Sequence, residues 1–593
     1  MSQYNTMWWV NKNNNAHNDI FEVVSKIHMN TEERRERNLR SLRLYGNADL
    51  VGLAPYSFST SALPSLPDNR VKVNVVSSMA DTVSAKISKM KPRITFLTSG
   101  GDFSSQENAK KLNKFILGVF YKNDIYKHHQ ASFKDATVFD VGALKHFIDG
   151  NEIKTERVLA TELYVDEVDA MYGDPKSLHQ VKYVHREVLK KLYPKKVAAI
   201  GMATNSFGNQ AISNDAMKDY VVVIESWHLD GKEGRHVISL DKDTLLDEPY
   251  KRDYFPFTFM RWSPRLTGFW GQSLTERLTG NQIEINKMLR IIQKSFHLGS
   301  AFKVFLEHGS RVAKDHINND IGSIVYYSGS KPEYYVPQVI HPEYFRHLEF
   351  LITASYEEAG ISQLSAGSKI PGGLESGRAI REYNDVETER FALVSQGYES
   401  SFMETTKQYI DLIKEMYEND VDYEVTAQSK KFIESIKWSD VAVEDNEFIM
   451  QAFPVSMLPH TPAGRLSFVQ ELIAANFVPK EYGLKLLDFP DLEGFANLAT
   501  AALDDIMASL EDILVKGEYN PPEPFQDLGT GIKVFQSAYL RSRSEKVPEE
   551  KLEMIRVWIE SAQAVLVASQ PPPMPTEEGA APAAPAAPEA VTI

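Results

Sequence analysis

Two stretches set the strongest limit on how this chain folds. From Ser273 to about Leu298, the residues Leu274, Leu278, Ile285, Leu289, Ile292 and Phe296 recur at steps of three, four or their sum, which places them on one stripe of a helix. Ser273 followed by Glu276 has the spacing of a capping box at its start. At 1.5 Å per residue such a helix is roughly 39 Å long. Pro342 then opens a second helix through Phe345, Leu348, Ile352 and Tyr356, which Gly360 closes. Between the two lie strand-like runs, Ala301 to Leu306 and Ser323 to Tyr327, with turns around Gly309 and Gly329. The expectation is a long antiparallel helix pair carrying a small module at its far end. Ser362 to Gly373 follows as a Gly/Ser-rich loop, and Glu375 to Glu418 as one helical stretch with Ile380, Tyr383, Phe391, Val394, Tyr398, Phe402, Tyr409, Leu412 and Met416 in helical rhythm. A helix of roughly 65 Å is too long for one small domain to support, so its stripe needs partners. Gly397 offers a place for a kink.

The segments on either side are shorter. Asp19 to Tyr45 reads as a helix stopped at Gly46, and its basic run Arg34, Arg35, Arg37, Arg40 and Arg43 as a solvated face. Asn74 to Met90 places Val75, Met79, Val83 and Ile87 four apart, before Pro92 and a strand from Arg93 to Thr98. Ser104 with Glu107 is a second capping box, opening a helix with Leu112, Phe115, Ile116 and Val119. Ala143 to Ile148, Tyr220 to Trp227 and Arg235 to Leu240 read as a small sheet, with a helix around His179 to Leu192 inserted in it. Phe255 to Trp262 is strand-like and leads into a bend from Pro264 to Gly271. Val421 to Thr426 and Phe448 to Phe453 have no evident partner nearby and are expected to rejoin the earlier sheet. Helices resume from Pro462 to Lys516, cut at Pro479 and Pro490, and again from Glu549 to Ala568 after a linker at Pro521, Pro522 and Pro524. The Pro/Ala repeats from Pro571 on lack the apolar content for a core and read as disordered.

A chain of 593 residues, 43% of them hydrophobic, holds enough material for several cores. The absence of cysteine excludes disulfides, thiol nucleophiles and thiolate metal sites. Residues 1 to 20 lack the basic and apolar regions of a signal peptide, and the longest apolar runs fall far short of the roughly 18 residues a spanning helix needs. A net charge of -15 opposes tight nonspecific binding to nucleic acid except where basic residues gather locally. No G-x-x-x-x-G-K-[ST] and no H-E-x-x-H is present, so neither an ATP-driven motor nor a zincin is indicated. Gly529-Thr530-Gly531 lacks the third glycine of a dinucleotide loop and reads as a linker turn. His128 and His129 are adjacent and diverge on a helix. Asp166, Glu167 and Asp169 suit a solvated turn better than a two-metal site, and Ser239 with Lys242 has no further nucleophile signature. No catalytic, metal or cofactor site is expected.

The order of these parts resembles the portal, or head-to-tail connector, family of tailed phages. The resemblance is carried by the Asn74 to Pro92 entry, the Gly142-Ala143-Leu144 strand, Trp270-Gly271-x-Ser273 at the start of the long helix, the Pro371 to Gly377 loop and the 44-residue helix behind it. It implies an α+β portal-type fold: a flexible arm (1–18), a wing (19–270), stem helices (271–298 and 342–360) flanking a clip (299–341), a tunnel loop (361–375), a long helix returning to the wing (376–460), a crown (461–570) and a disordered tail (571–593). It also implies a dodecameric ring at one capsid vertex, through which double-stranded DNA is packaged, retained and ejected without catalysis. Terminase large subunit, tail adaptor proteins and the major capsid and scaffolding proteins are the partners it implies, with no membrane. In such a ring Lys287, Arg290 and Lys294 share one helix face and are candidates for weak phosphate contacts; a solvated outer face or bridges to neighbouring subunits is the alternative. In the loop, Ser362, Gly367, Ser368, Pro371, Gly372 and Gly373 would permit movement toward DNA while Lys369 supplies charge; a plain connector is the alternative. In the clip, Arg311, Lys314, Tyr326, Tyr327 and Lys331 are candidates for partner docking. Rival classes are a DNA-processing enzyme and another phage structural protein, a scaffold or tail component, although a scaffold would not carry the sheet around residues 143 to 262.

Overall fold

The computed structural model describes residues 7–10, 16–46, 73–89, 91–98, 103–205, 207, 218–300, 303–305, 308, 333–335, 342–361, 390–428, 433–441, 448–454, 462–475, 477, 501–503 and 505–568. The chain is a mixed helix-and-sheet, α+β protein. It divides into one unit of residues 1–95, 112–442 and 450–455, and a second of 96–111, 443–449 and 456–593.

In the first unit, α1 (Ala16–Asn30) and α2 (Glu32–Gly46) replace the single helix expected from Asp19 to Tyr45. The break falls at Thr31, whose hydroxyl donates back to the Ile27 carbonyl at 2.7 Å and competes with the backbone ladder there. Residues 7–10 are not a loose arm, because Trp8 is fully buried against α1 and the sheet described below. α3 (Val75–Ser88) starts where the sequence placed it, with the Asn74 side chain accepting the Ser77 N–H at 2.9 Å. Then come β1 (Pro92–Thr98) and α4 (Phe103–Lys122), of which residues 96–111 belong to the second unit, and α5 (Ile125–Val138); α4 begins one residue before the expected Ser104 cap.

Two antiparallel sheets follow. The first joins β2 (Gly142–Asp149) to β3 (Glu152–Val158) on one side and β9 (Phe257–Met260) on the other. A Cβ on Gly142 would stand 1.9 Å from the Ser132 carbonyl oxygen, so this position admits only glycine and lets α5 press directly on the sheet. The second sheet has the order β4 (Leu163–Tyr164), β5 (Ser177–His185), β6 (Tyr220–His228), β7 (Arg235–Ser239), β8 (Thr244–Pro249). The helix expected from His179 to Leu192 is therefore half strand, and only α6 (Arg186–Leu192) is helical, followed by α7 (Val197–Met202). The first half of β5 is buried on both faces, so it shows no alternation to mark it as a strand. On β6, Val222 and Ile224 face α1 while Val221 and Val223 face α6 and α7, which explains an unbroken apolar run. A two-residue pair, β10 (Ser263–Pro264) with β11 (Gly271–Gln272), closes the expected bend.

Next come α8 (Leu274–Ser300), β12 (Lys303–Phe305) paired with β13 (Glu333–Tyr335), and α9 (Glu343–Ala359), ended by Gly360 at φ 72°. The described part of the long helix is α10 (Ala392–Glu418), entered through a turn at Phe391 rather than kinked at Gly397, and its beginning before residue 390 lies outside the described residues. It packs across β2, β3 and β9. The downstream strands do not rejoin the earlier sheets. β14 (Glu424–Gln428) forms its own hairpin with β15 (Ile433–Lys437), a partner the sequence reading missed, and β16 (Phe448–Pro454) pairs with β1.

In the second unit, α11 (Pro462–Ala474) precedes a helical stretch over residues 505–511 that ends in a π-turn, Asp512–Lys516. Gly529-Thr530-Gly531 is not a linker turn. It lies in the first turns of α12 (Leu528–Ser544), with Asp527 accepting the Thr530 N–H at 3.2 Å. α12 pairs with α13 (Glu549–Ala568), where Phe535 stacks on Trp558 at 3.6 Å and Gly531 makes room for the same indole. The cuts at Pro479 and Pro490 and the tail from Pro571 lie outside the described residues.

Candidate functional site

The α8–α9 pair is the candidate site, and it is built outward from a rigid root. Ser273, itself buried, accepts the Glu276 N–H at 2.9 Å, which is half of the expected capping box. The other half is diverted: both Glu276 oxygens take the Arg265 guanidinium at 2.7 Å, tying the helix to the preceding bend. Thr275 donates to the Thr137 carbonyl at the end of α5. Two turns further, Gln282 is buried on the apolar stripe. Its Oε1 accepts the N–H groups of Val75 at 2.9 Å and Val76 at 3.3 Å, and its Nε2 donates to the Val73 carbonyl at 2.7 Å. A side chain of α8 thus caps the start of α3, where a helix leaves its own amides unpaired.

Beyond the root, α8 meets α9. Asn281 donates to Glu358 at 2.8 Å near one end, and Phe296 lies 6.3 Å from Phe345 near the other, so the helices run antiparallel as expected. Of the expected stripe, Leu274, Leu278, Ile285 and Ile292 are buried, joined by Met288, whereas Leu289 is half-buried and Phe296 is exposed. Lys287 and Arg290 project from the opposite face, exposed, and Lys294 continues the same row along the helix backbone. Lys287 reaches Glu284 at 3.2 Å, so part of its charge is met within the helix. The same exposed face carries Ile283 and Ile291, and α9 exposes Tyr344, Phe345 and Phe350. This surface is both cationic and apolar, a mixture that the spacing of its basic residues does not show.

The loop candidates Ser362, Gly367, Ser368, Lys369, Pro371, Gly372 and Gly373 and the docking candidates Arg311, Lys314, Tyr326, Tyr327 and Lys331 lie outside the described residues. The pairing of Val304 with Tyr334 closes the module between α8 and α9 at its base.

Charge is buried elsewhere. Arg34, expected on a solvated face, is enclosed: its guanidinium bonds Asp140 at 2.5 and 3.1 Å and the carbonyls of Leu163 and Ala160, and it stacks 3.1 Å from the Trp270 ring centre. The buried face of α2 is polar, Arg34, Asn38 and Ser41, and so escaped a reading that looks for apolar stripes. Lys145 of β2 donates to Glu225 of β6 and lies over Trp227. Glu225 also holds His236, which reaches Glu248 at 2.7 Å and stacks on Trp227. Burial acts to raise the Glu225 carboxyl, but Lys145 and His236 overcome it and hold the group down at about 2. Burial acts to lower His236, and its two carboxylate partners reverse that and raise it. The ionised groups of this cluster bond one another across two sheets, an arrangement that joins the sheets.

The other motifs resolve simply. His129 points inward, stacked 3.9 Å from Phe402, with burial pulling it down to about 4, while His128 is only partly buried. Asp166 accepts the Val168 N–H, and Asp169 accepts those of Lys176 and Ser177, the behaviour of turn-forming carboxylates. Ser239 is buried with its hydroxyl on the Ile224 carbonyl. Among the described residues no group of three or more His, Asp or Glu is arranged to hold a metal ion, and no helix is long and apolar enough to cross a membrane. No protein-family model matches this sequence, and no curated protein matches it.

Proposed function

We propose that this chain is one subunit of a phage portal, a ring of about twelve copies at a capsid vertex that conducts double-stranded DNA and docks the terminase and tail adaptors. The observation that carries the reading is the α8–α9 pair: two long antiparallel helices rooted by Gln282 and Ser273, with Ile283, Ile291, Tyr344, Phe345 and Phe350 left in water. Exposed apolar side chains on rigid rods are explained when copies pack side by side. In a closed ring the row Lys287, Arg290 and Lys294 then offers phosphate contacts in an otherwise acidic conduit. Such contacts are weak and independent of sequence, as passage of DNA requires. The loop from Ser362 to Gly373 and the module between α8 and α9 take the roles of DNA contact and partner docking in this proposal. Light scattering of the purified full chain, with negative-stain imaging, is the test. A particle near twelve times 67.1 kDa with a central hole is expected, and a compact monomer at all concentrations would end the proposal.

A further inference from the structure

Within the first unit, strand β5 carries an unusual surface at each of its ends. Before its first residue, the loop of residues 166–174 holds Val168, Met171 and Tyr172 in water, Tyr172 being 95% exposed. This loop is not slack. Asp169 anchors it to the start of β5 through the Lys176 and Ser177 amides at 2.7 and 3.1 Å, and the Gly268 N–H clasps the Met171 carbonyl at 3.0 Å. That clasp brings in the neighbouring bend, whose Leu266 is fully exposed. The result is a fixed apolar knob flanked by exposed Glu167 and Asp174.

Directly after its last residue, β5 gives way to the α6–α7 hairpin, which exposes Val188, Leu192, Val197 and Met202, with Leu192 66% exposed. Arg186 locks this hairpin by donating to the carbonyls of Ile200 and Gly201 at 2.8 Å and Ala203 at 2.7 Å. The charge here is of the other sign. Lys190 and Lys196 are met by Glu187 and Asp243, whereas Lys191 and Lys195 stand exposed beside the apolar side chains. A nine-residue strand separates knob and hairpin by roughly 27 Å.

We propose that the acidic-apolar knob of one copy docks on the basic-apolar α6–α7 hairpin of the next. The occupant is a second copy of this chain because the two surfaces are opposite in charge sign and alike in apolar character, and because both are held rigid before any partner arrives. They occupy different places on the molecule, so the contact is head-to-tail and propagates until a ring closes. This inference rests on the ring reading and adds an interface within the sheet region, separate from the α8–α9 pair.

The chain has no cysteine, which makes a site-specific test possible. In the full chain, Tyr172→Cys and Leu192→Cys are made singly and together and treated with a short bismaleimide. The double variant is expected to give a ladder of covalent multimers on a denaturing gel, and each single variant only monomer. A double variant that is assembled by light scattering yet yields no ladder would overturn this interface while leaving the ring intact. Cross-linking by a single variant would equally overturn it, since that means like surfaces meet. A wild-type chain that is monomeric throughout would remove the ring reading itself. As a second arm, Lys191→Glu with Lys195→Glu should raise the concentration for half-assembly by about tenfold or more. Adding Glu167→Lys and Asp174→Lys should restore it, and failure of that rescue in a folded protein contradicts the pairing.

Discussion

Gln282→Met isolates the root of the α8–α9 pair, because methionine keeps the volume and flexibility of glutamine while removing its hydrogen bonds. In the wild-type chain the Gln282 oxygen receives two amides, Val75 and Val76, and both residues are buried. Water cannot replace the lost acceptor there, so each stranded amide costs about 1–2 kcal/mol. The Val73 carbonyl, on a residue 41% exposed, can turn to solvent, and its loss adds little. The expected destabilisation is therefore about 2–4 kcal/mol, a large share of the roughly 5–15 kcal/mol of a typical domain. Thermal unfolding followed by calorimetry should show the transition of the first unit, whose large size dilutes the effect, lowered by roughly 2–4 °C, with that of the second unit unmoved. Hydrogen exchange supplies the local readout: the amides of Val75 and Val76 should lose protection before those of β5 and β6. Gln282→Glu keeps an acceptor for both amides and should fall between the two. If Gln282→Met melts within a degree of wild type, the idea that α8 is seated through α3 is wrong.

Arg34→Met leaves Asp140 buried without its counter-ion and should cost about 3–5 kcal/mol, read as a lower melting temperature; a loss under 1 kcal/mol would mean the guanidinium is dispensable. Gly531→Ala puts a Cβ 2.8 Å from the Trp558 ring and should lower the second unit's stability by about 1–3 kcal/mol, with Trp558 fluorescence altered; unchanged melting would contradict the stacking described. In the Lys145–Glu225–His236 cluster the pH limbs have opposite signs. The raised His236 contributes stability that is present below its ordinary 6.5 and is lost as pH rises through its folded value; the lowered Glu225 contributes above 4.5 and loses it as pH falls toward about 2. His236→Gln should flatten the alkaline limb of melting temperature against pH and shrink the acid limb, leaving there only what Lys145 contributes to Glu225; an unaltered profile refutes the assignment. Replacing Lys287, Arg290 and Lys294 together by glutamine should reduce DNA packaging and retention in infected cells, and unchanged genome yield would remove them from the channel.

Where burial is apolar and periodic, the sequence reading succeeded. The stripe of α3, that of α8 as far as Ile292, and the limits of α9 and α13 lie where the sequence places them, while Phe296 at the end of the α8 stripe is exposed. It failed where burial is polar or two-sided. Gln282 interrupts an apolar stripe, and that interruption was the one available signal that a buried partner sits opposite. Arg34 hid inside a basic run because composition does not say which of five arginines turns inward. β5 looked helical because its first half is buried on both faces, and the Gly529-Thr530-Gly531 start of α12 looked like a linker because Asp527 was not recognised as its cap. Of the candidate site, the pairing of α8 with α9 and the basic row were legible. The exposed Ile and Phe among them were not, since periodicity marks which residues share a face but not which face a neighbour covers.

The buried charges share a placement that argues for what they do. Arg34 joins α2 to the entry of β2 and to the carbonyls of residues 160 and 163; Lys145 joins β2 to β6; Arg235 joins β7 to the Trp8 carbonyl and, through Asp247, to β8; and the buried Asp135 of α5 takes the half-exposed Arg157 of β3. Each pair fixes one element against another rather than strengthening a single element. Desolvation consumes much of the attraction in such pairs, so they add less to net stability than the apolar cores around them. Their effect is on register. Sliding a strand by one residue sends its charge to the opposite face and leaves a buried partner unmet, a loss far larger than the mismatch of one apolar side chain for another. In the proposed ring, where each copy would present the same knob, hairpin and helix pair to its neighbours, such slips would be poorly tolerated, because an error in one copy would be carried into every contact that copy makes.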